Sequence, residues 1–295
     1  MSSLIPSSRT NHLQEMIEVR LDTYLCSSFA GPARLIEAMR YAVLSPGKRL
    51  RGTLCLLVAE DLDSFQAAVP AACALEFLHT ASLMIDDLPC MDDERERRGR
   101  PATHVAYGQD LAILAAFSLV SHAFGVISSI PSADPSALVH LTSLFSEALG
   151  ANGLCAGQAR DLALTSETAS SEDEYNCTIM QKTASLFILA VLCGAAFAKP
   201  ALSEAEQEIL KCFGAHVGLA YQAHDDALDD SDIARPKTLM RRAAAALSAA
   251  TKSAKQLTRL PSLTAYLKTG WCQPNANFSL DCRTGPKPGR ALGHE

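Results

Sequence analysis

The 295-residue sequence predicts an all-α protein built as one large helical bundle. Apolar residues recur at helical spacing over most of its length, and alanine and leucine are abundant. No run alternates apolar and polar residues between turn signals, as a half-buried strand would. The periodic stretches break where Gly, Pro and Ser gather: Ser45-Pro46-Gly47, Gly99-Arg100-Pro101, Ile130-Pro131-Ser132 and Lys199-Pro200.

In chain order the periodicity places helices over residues 14–27, 33–43, 51–60, 65–86, 110–127, 135–149, 153–164, 172–198, 204–229, 239–256 and 263–269. Two starts pair a serine with a glutamate three residues on, Ser171 with Glu174 and Ser203 with Glu206, the pattern of a capping box. Two stretches are strongly apolar. Residues 111–130 approach the length of a membrane span but contain Ser118, Ser121 and His122, and residues 186–198 are too short to span. Both read as helices buried in a large α core, so no membrane span is expected. Residues 1–270 form one domain. Residues 271–295 are rich in Pro, Gly, Asn and Arg without periodicity and read as a loose C-terminal tail.

Composition narrows the function classes. With 48% hydrophobic and 20% charged residues the chain is of the globular, not the disordered, class. A net charge of −6, and no basic stripe interleaved with aromatics, argue against nucleic acid as a partner. Ten cysteines are scattered with no CxxC pair, mostly in apolar helical runs, and read as buried reduced thiols. The first twenty residues lack an apolar core segment, so a secretory signal is not expected and a cytoplasmic location is.

Two acidic motifs carry the chemistry. Asp86-Asp87-Leu88-Pro89-Cys90-Met91-Asp92-Asp93 closes the apolar helix 65–86. Four carboxylates at the negative end of a buried helix repel one another and are costly to desolvate. A hard divalent cation with oxygen ligands would explain them. Pro89 is expected to distort the helix so that Asp86 and Asp92 converge. The second motif, Asp225-Asp226-Ala227-Leu228-Asp229, ends the long helix 204–229, and Gln222, Asp225 and Asp229 share one face of it. Cations accompany these acids: Gly47-Lys48-Arg49-Leu50-Arg51 precedes a helix, and Arg95-Glu96-Arg97-Arg98-Gly99-Arg100 follows the first motif. Arginine forks and lysine point charges suit phosphate oxygens. His79 lies seven residues before Asp86 on its face, and Lys182-Thr183 sits within another helix.

Five blocks in this order, GKRLR, FLHTASLMIDDLPCMDDERERRGRPATH, GLCAGQARDL, QKTASLF and GLAYQAHDDALDD, resemble the trans-prenyl diphosphate synthases that make farnesyl or geranylgeranyl diphosphate. The resemblance covers about residues 35 to 229. It implies an isoprenoid synthase-like bundle around a central apolar cavity, a homodimer, and a Mg²⁺-dependent transferase that condenses isopentenyl diphosphate with an allylic diphosphate. It further implies three Mg²⁺ ions per substrate-loaded site, with Asp86, Asp87, Asp92, Asp225, Asp226 and Asp229 as the metal ligands. Lys48, Arg51, His79 and Arg98 are the implied ligands of isopentenyl diphosphate, and Arg97, Lys182 and Lys237 those of the allylic diphosphate. Thr183 and Gln222 are implied to line the space near the allylic cation, with Gln158 and Asp161 facing the same cavity. Asp86, Asp92, Asp225, Lys182, Thr183 and Gln222 make up the implied catalytic set.

Product length follows from one helix. Ser82 lies one turn, about 5.4 Å, below Asp86, and Ala81 flanks it. Both are small, so a growing chain could pass, which favours geranylgeranyl diphosphate ahead of farnesyl diphosphate.

The chain departs from the family pattern in three places. Ile85 stands where a histidine usually precedes the first aspartate pair. The segment after Asp229 is short, and only Lys237 stands in for two expected lysines. The C-terminal tail matches nothing in the pattern. The short segment supports an alternative reading, a weakly active or regulatory homologue that modifies a partner synthase. A terpene cyclase would need one diphosphate site, and the second cation set of Lys48, Arg51 and Arg98 argues against it.

Overall fold

Apolar stripes at helical spacing are buried by packing helix on helix, and this builds the whole molecule. The computed structural model describes residues 7–27, 29–131, 133–163, 172–229 and 235–267. Among them run α1 (Ser7–Ser27), α2 (Ala33–Val43), α3 (Leu50–Asp61) and α4 (Phe65–Asp86), then a two-stranded ribbon of β1 (Glu96–Arg97) and β2 (Arg100–Pro101). After it come α5 (Thr103–Tyr107), α6 (Gln109–Ser128), α7 (Pro135–Leu149), α8 (Leu154–Ala163) and α9 (Glu172–Ile179). A π-helical turn (Met180–Ala184) leads into α10 (Ser185–Ala195), followed by α11 (Glu204–Asp229), α12 (Arg235–Gln256) and α13 (Pro261–Tyr266).

The all-α expectation holds, and α2, α4, α7 and α11 have the bounds that the periodicity gives. α4 is the centre of the bundle. Most of it from Ala68 to Met84 is buried, and it packs against α3, α6 and α10. The second capping box forms as expected: the Glu206 carboxylate accepts from the Ser203 N–H at 2.8 Å, and the Glu206 N–H donates back to Ser203 Oγ at 3.3 Å. Ser171 of the first box lies outside the described residues, as does the expected tail at 271–295.

Several expectations are corrected. The helix expected over 172–198 is interrupted by the π turn and stops at Ala195. α12 begins at Arg235, four residues early, because Pro236 as its second residue loses no intrahelical bond. α5, with five residues, is too short to show periodicity. The ribbon turns through Arg98 and Gly99, both at positive φ (57° and 74°), as a two-residue hairpin of the I′ kind requires.

α6 is not buried all round. Ala112, Ala115, Ala116, Leu119 and Ala123 face the core, whereas Ile113, Leu114 and Phe117 are exposed, Phe117 by 74%. By length and composition alone, α4, α6 and the stretch Asp173–Ala195 are each long and apolar enough to cross a membrane. The cysteine expectation holds only for Cys55, Cys73 and Cys193, which are buried. Cys26, Cys90, Cys155, Cys177 and Cys212 are exposed on outer helix faces or loops, and all eight described thiols are free.

A buried ion pair shapes the loop that leads into α3. Arg49 takes a left-handed conformation (φ 44°) and caps α3. Its guanidinium, 3% exposed, donates to the carbonyls of Val43 (2.6 Å) and Ser45 (3.1 Å) and pairs with Glu18 (2.6 Å) and Glu76 (3.8 Å). The Glu76 carboxylate also accepts from the Gly52 N–H at 2.8 Å. Arg49 thus belongs to the scaffold and leaves Lys48 and Arg51 to face elsewhere. Glu76→Ala would leave both the Arg49 charge and the Gly52 N–H with a lost partner. It should lower unfolding stability by about 2–4 kcal/mol in urea titrations; a loss under about 1 kcal/mol would mean that Glu18 and the two carbonyls satisfy Arg49 without it.

Candidate active site

The first acidic motif is built by the way α4 ends. The helix stops at Asp86, before Pro89, instead of running on distorted through it. A chain of turns follows, and the Asp92 N–H donates to the Asp86 carbonyl at 2.9 Å. That bond folds Asp92 back beside Asp86, so the convergence expected of these two residues comes from a helix stop and not from a kink. Asp87 is 3% exposed. The β1–β2 ribbon returns Arg97 to it, and the guanidinium donates to Asp87 Oδ1 through both Nε (2.9 Å) and Nη2. Burial pushes the Asp86 carboxyl up to about 6, opposed by Lys182 and assisted by Asp92. Two partly buried carboxylates on one turn create a demand for positive charge.

Lys182 meets that demand from the π turn. Its Nζ lies 2.6 Å from Asp161 Oδ2 on α8 and 3.7 Å from Asp92 Oδ2. Burial alone would discourage the ammonium, but Asp161, Asp86 and Asp92 outweigh it and hold the charge on. Two glycines bring the neighbouring helices onto this turn. A Cβ on Gly157 of α8 would stand 2.2 Å from the Lys182 nitrogen, and one on Gly218 of α11 would stand 2.5 Å from Ala184 Cα. With only hydrogen at both places, α8 and α11 clamp the turn, where a single extra residue per turn is accommodated.

The second motif is joined to the same turn. The Thr183 hydroxyl, 7% exposed, donates to Gln222 Oε1 at 2.8 Å, and Gln222 Nε2 donates to Asp226 Oδ1 at 2.7 Å. The hydroxyl of Tyr175 on α9 donates to the other Asp226 oxygen at 2.6 Å. Because the Thr183 proton is committed to Gln222, the lone pairs of Oγ1 remain free to face a positive centre. Asp225 is near enough to help hold the charge on Arg51. The side chains of Asp229 and Lys237, both expected in the site, lie outside the described residues.

A second group of cations gathers where α3 meets α4. Arg51 Nη1 lies 3.1 Å from His79 Nε2, and its guanidinium lies 4.5 Å from the centre of the Phe187 ring. Burial first, then Arg51 and Arg98, hold the His79 pKa well below its ordinary value. His79 is therefore neutral, and since guanidinium only donates, Nε2 accepts and Nδ1 carries the proton. It serves Arg51 as an orienting acceptor and brings no charge of its own. Arg98 lies against Gly47, where a Cβ would meet Nη1 at 2.5 Å, and Lys48 is exposed on the same loop, close to His224. Among the described residues, Arg51 Nε and both amide atoms of Gln158 are buried without a hydrogen-bond partner. Ala81 is 2% exposed beneath the first motif, and the Ser82 hydroxyl donates back to the His79 carbonyl at 2.8 Å.

The donor set fits a hard cation only in company with a ligand. No group of three protein ligands that could hold a metal occurs among the described residues. Mg²⁺ takes one or two carboxylates and completes its shell with water and phosphate oxygens. Asp86 with Asp92, and separately Asp225, offer that number. Asp87 and Asp226 are engaged by Arg97, and by Gln222 and Tyr175. The family resemblance implies that Asp161 faces this space but not that it partners Lys182, and it gives no sign of Tyr175.

The polyprenyl synthetase family profile matches residues 32–254. A geranylgeranyl diphosphate synthase of Pantoea ananas is 43% identical over 195 residues, covering 65% of this chain and 64% of that protein. The chloroplastic geranylgeranyl pyrophosphate synthase of Capsicum annuum is 40% identical over 200 residues, 67% of this chain and 54% of that one. A farnesyl diphosphate synthase of Geobacillus stearothermophilus is 36% identical, covering 78% and 77%. The chain thus spans little more than half the length of the plant relatives that it matches. Among solved structures, a geranyltransferase from Legionella pneumophila superposes with a TM-score of 0.80 at 26% identity over 87% of this chain and 92% of that one. With a profile match over most of its length and relatives of this similarity, the chain belongs to the polyprenyl synthetase family.

Proposed function

We propose that the chain is a Mg²⁺-dependent prenyltransferase that joins isopentenyl diphosphate to an allylic diphosphate. The observation that carries this is the meeting of both aspartate motifs at one π turn, with Lys182 facing the first and Thr183 tied to the second. Two cation groups flank it, Arg97 with Lys182 on one side and Lys48, Arg51 and Arg98 on the other, enough for two diphosphates. Held by Asp86, Asp92 and Asp225, Mg²⁺ would supply Lewis-acid stabilisation of the departing diphosphate. Lys182 and Arg97 neutralise that leaving group from the protein side. As the allylic C–O bond breaks, the lone pairs of Thr183 Oγ1 face the growing positive charge. Arg51, aimed by His79, and Lys48 with Arg98 hold isopentenyl diphosphate so that its double bond meets the allylic carbon. The proton lost on forming the new bond goes to the pyrophosphate released.

The favoured product is geranylgeranyl diphosphate, supported by relatives bearing that name and by the small Ala81 and Ser82 below Asp86. Farnesyl diphosphate is second. The exposed apolar face of α6, Ile113, Leu114 and Phe117, supports a homodimer that buries it. A second reading, a chain that works through a partner synthase, is supported by the lysine-poor segment after Asp229 and by relatives named as large subunits of heterodimeric synthases. The eight free thiols among the described residues fit a reducing setting such as the cytoplasm, and the net charge of −6 fits a chain without a nucleic acid partner.

Purified protein supplied with isopentenyl and farnesyl diphosphates and Mg²⁺ should elongate by itself; no product at any Mg²⁺ concentration would favour the partner reading. Asp86→Asn and Asp225→Asn should each lower kcat by about 10²-fold or more with little change in Tm, and near-native turnover in either would refute the assignment. Ala81→Phe should shift the product from twenty carbons to fifteen on chromatography, whereas an unchanged product would put the floor of the pocket deeper. In sedimentation, Leu114→Glu with Phe117→Glu should convert dimer to monomer; an unaltered mass would place the interface elsewhere.

A further inference from the structure

The shortened segment after Asp229 removes cations that the family pattern supplies from a loop, and the structure brings one from elsewhere. Arg242, two turns into α12, lies with its guanidinium 4.9 Å from the centre of the Tyr175 ring. The hydroxyl of that ring donates to Asp226 Oδ2 at 2.6 Å, and Asp226 accepts at its other oxygen from Gln222, which in turn holds Thr183. One continuous path of ring stacking and hydrogen bonds therefore runs from α12 through α9 and α11 to the π turn. Tyr175 is half-buried.

We propose that Tyr175, with Arg242 stacked on its ring, is a positioning pair for the second aspartate motif. It fixes the rotamer of Asp226 and so sets where Asp225 and the allylic diphosphate with its Mg²⁺ are received. This rests on reading that motif as the diphosphate site. Neither residue touches the reacting atoms. Tyr175 directs a carboxylate, and Arg242 holds the ring by cation–π attraction while placing a positive charge behind the acidic cluster. α12 thereby takes over part of the work that a lysine-bearing segment would do from the loop.

The test uses the full chain, Tyr175→Phe, Arg242→Gln and the double variant, with Asp225→Asn as the control on the underlying reading. Binding of farnesyl thiodiphosphate, which does not ionise readily, is measured by calorimetry across a Mg²⁺ series, alongside KM for each substrate. Tyr175→Phe keeps the ring but removes the donor. It should weaken analogue binding in Mg²⁺ by about tenfold and raise the Mg²⁺ needed for half-saturation, with KM for isopentenyl diphosphate unchanged. Arg242→Gln should move the same quantities in the same direction by less, and the double variant should fall short of the product of the two. A lower Tm with native analogue affinity and native Mg²⁺ dependence in both single variants would overturn the pairing as merely structural. Should Tyr175→Phe fail to fold, Arg242→Gln decides by the same criterion. If Asp225→Asn itself binds the analogue normally, the diphosphate reading of the motif fails and the proposal falls with it. Loss in Asp225→Asn beside native behaviour in the other variants overturns the positioning pair alone.

Discussion

The need to neutralise carboxylates at the ends of buried helices governs this molecule. α4 and α11 each deliver acids to the same space, against the helix dipole and with partial loss of solvent. Lys182 and Arg97 answer the first motif, and Gln222 and Tyr175 tie down one member of the second. Neutralisation is incomplete by design of the parts: Asp86 still has a raised carboxyl pKa with both cations in reach. Such a site gains most from a ligand that arrives with its own divalent cations, and a diphosphate does.

The rest of the fold can be understood as support for that arrangement. The π turn sets Lys182 and Thr183 facing the two motifs, and it persists because α8 and α11 clamp it through Gly157 and Gly218. Arg49, buried and paired with Glu18 and Glu76, fixes the loop that carries Lys48 and the first turn of α3 that carries Arg51. Neutral His79 then aims Arg51 without adding charge to a crowded group of guanidiniums. Arg49 is held among carboxylates and carbonyls, whereas Lys48 beside it is exposed and Arg51 contacts His79.

Much of this was legible in the sequence, for identifiable reasons. Long apolar helices such as 65–86 and 204–229 declare themselves by period, and their acidic ends stand out because nothing in folding alone favours them. Features formed between distant segments were not legible. The π turn depends on glycines in α8 and α11, and Tyr175 meets Asp226 across 51 residues of chain. The exposed stripe of α6 was hidden because a helix apolar all round gives no sign of which side faces out. The ribbon had a readable signal in Arg98-Gly99, but two-residue strands fall below any periodicity. At Pro89 a correct expectation had the wrong cause, because the helix stops where a kink was expected.

The paired motifs should bind divalent cations together with a diphosphate and only weakly without one. Calorimetric titration of Mg²⁺ into the protein, with and without inorganic pyrophosphate, measures this directly. Mg²⁺ alone should bind weakly, and binding should tighten by about 10²-fold or more with pyrophosphate present. Equal Mg²⁺ affinity with and without pyrophosphate would contradict it.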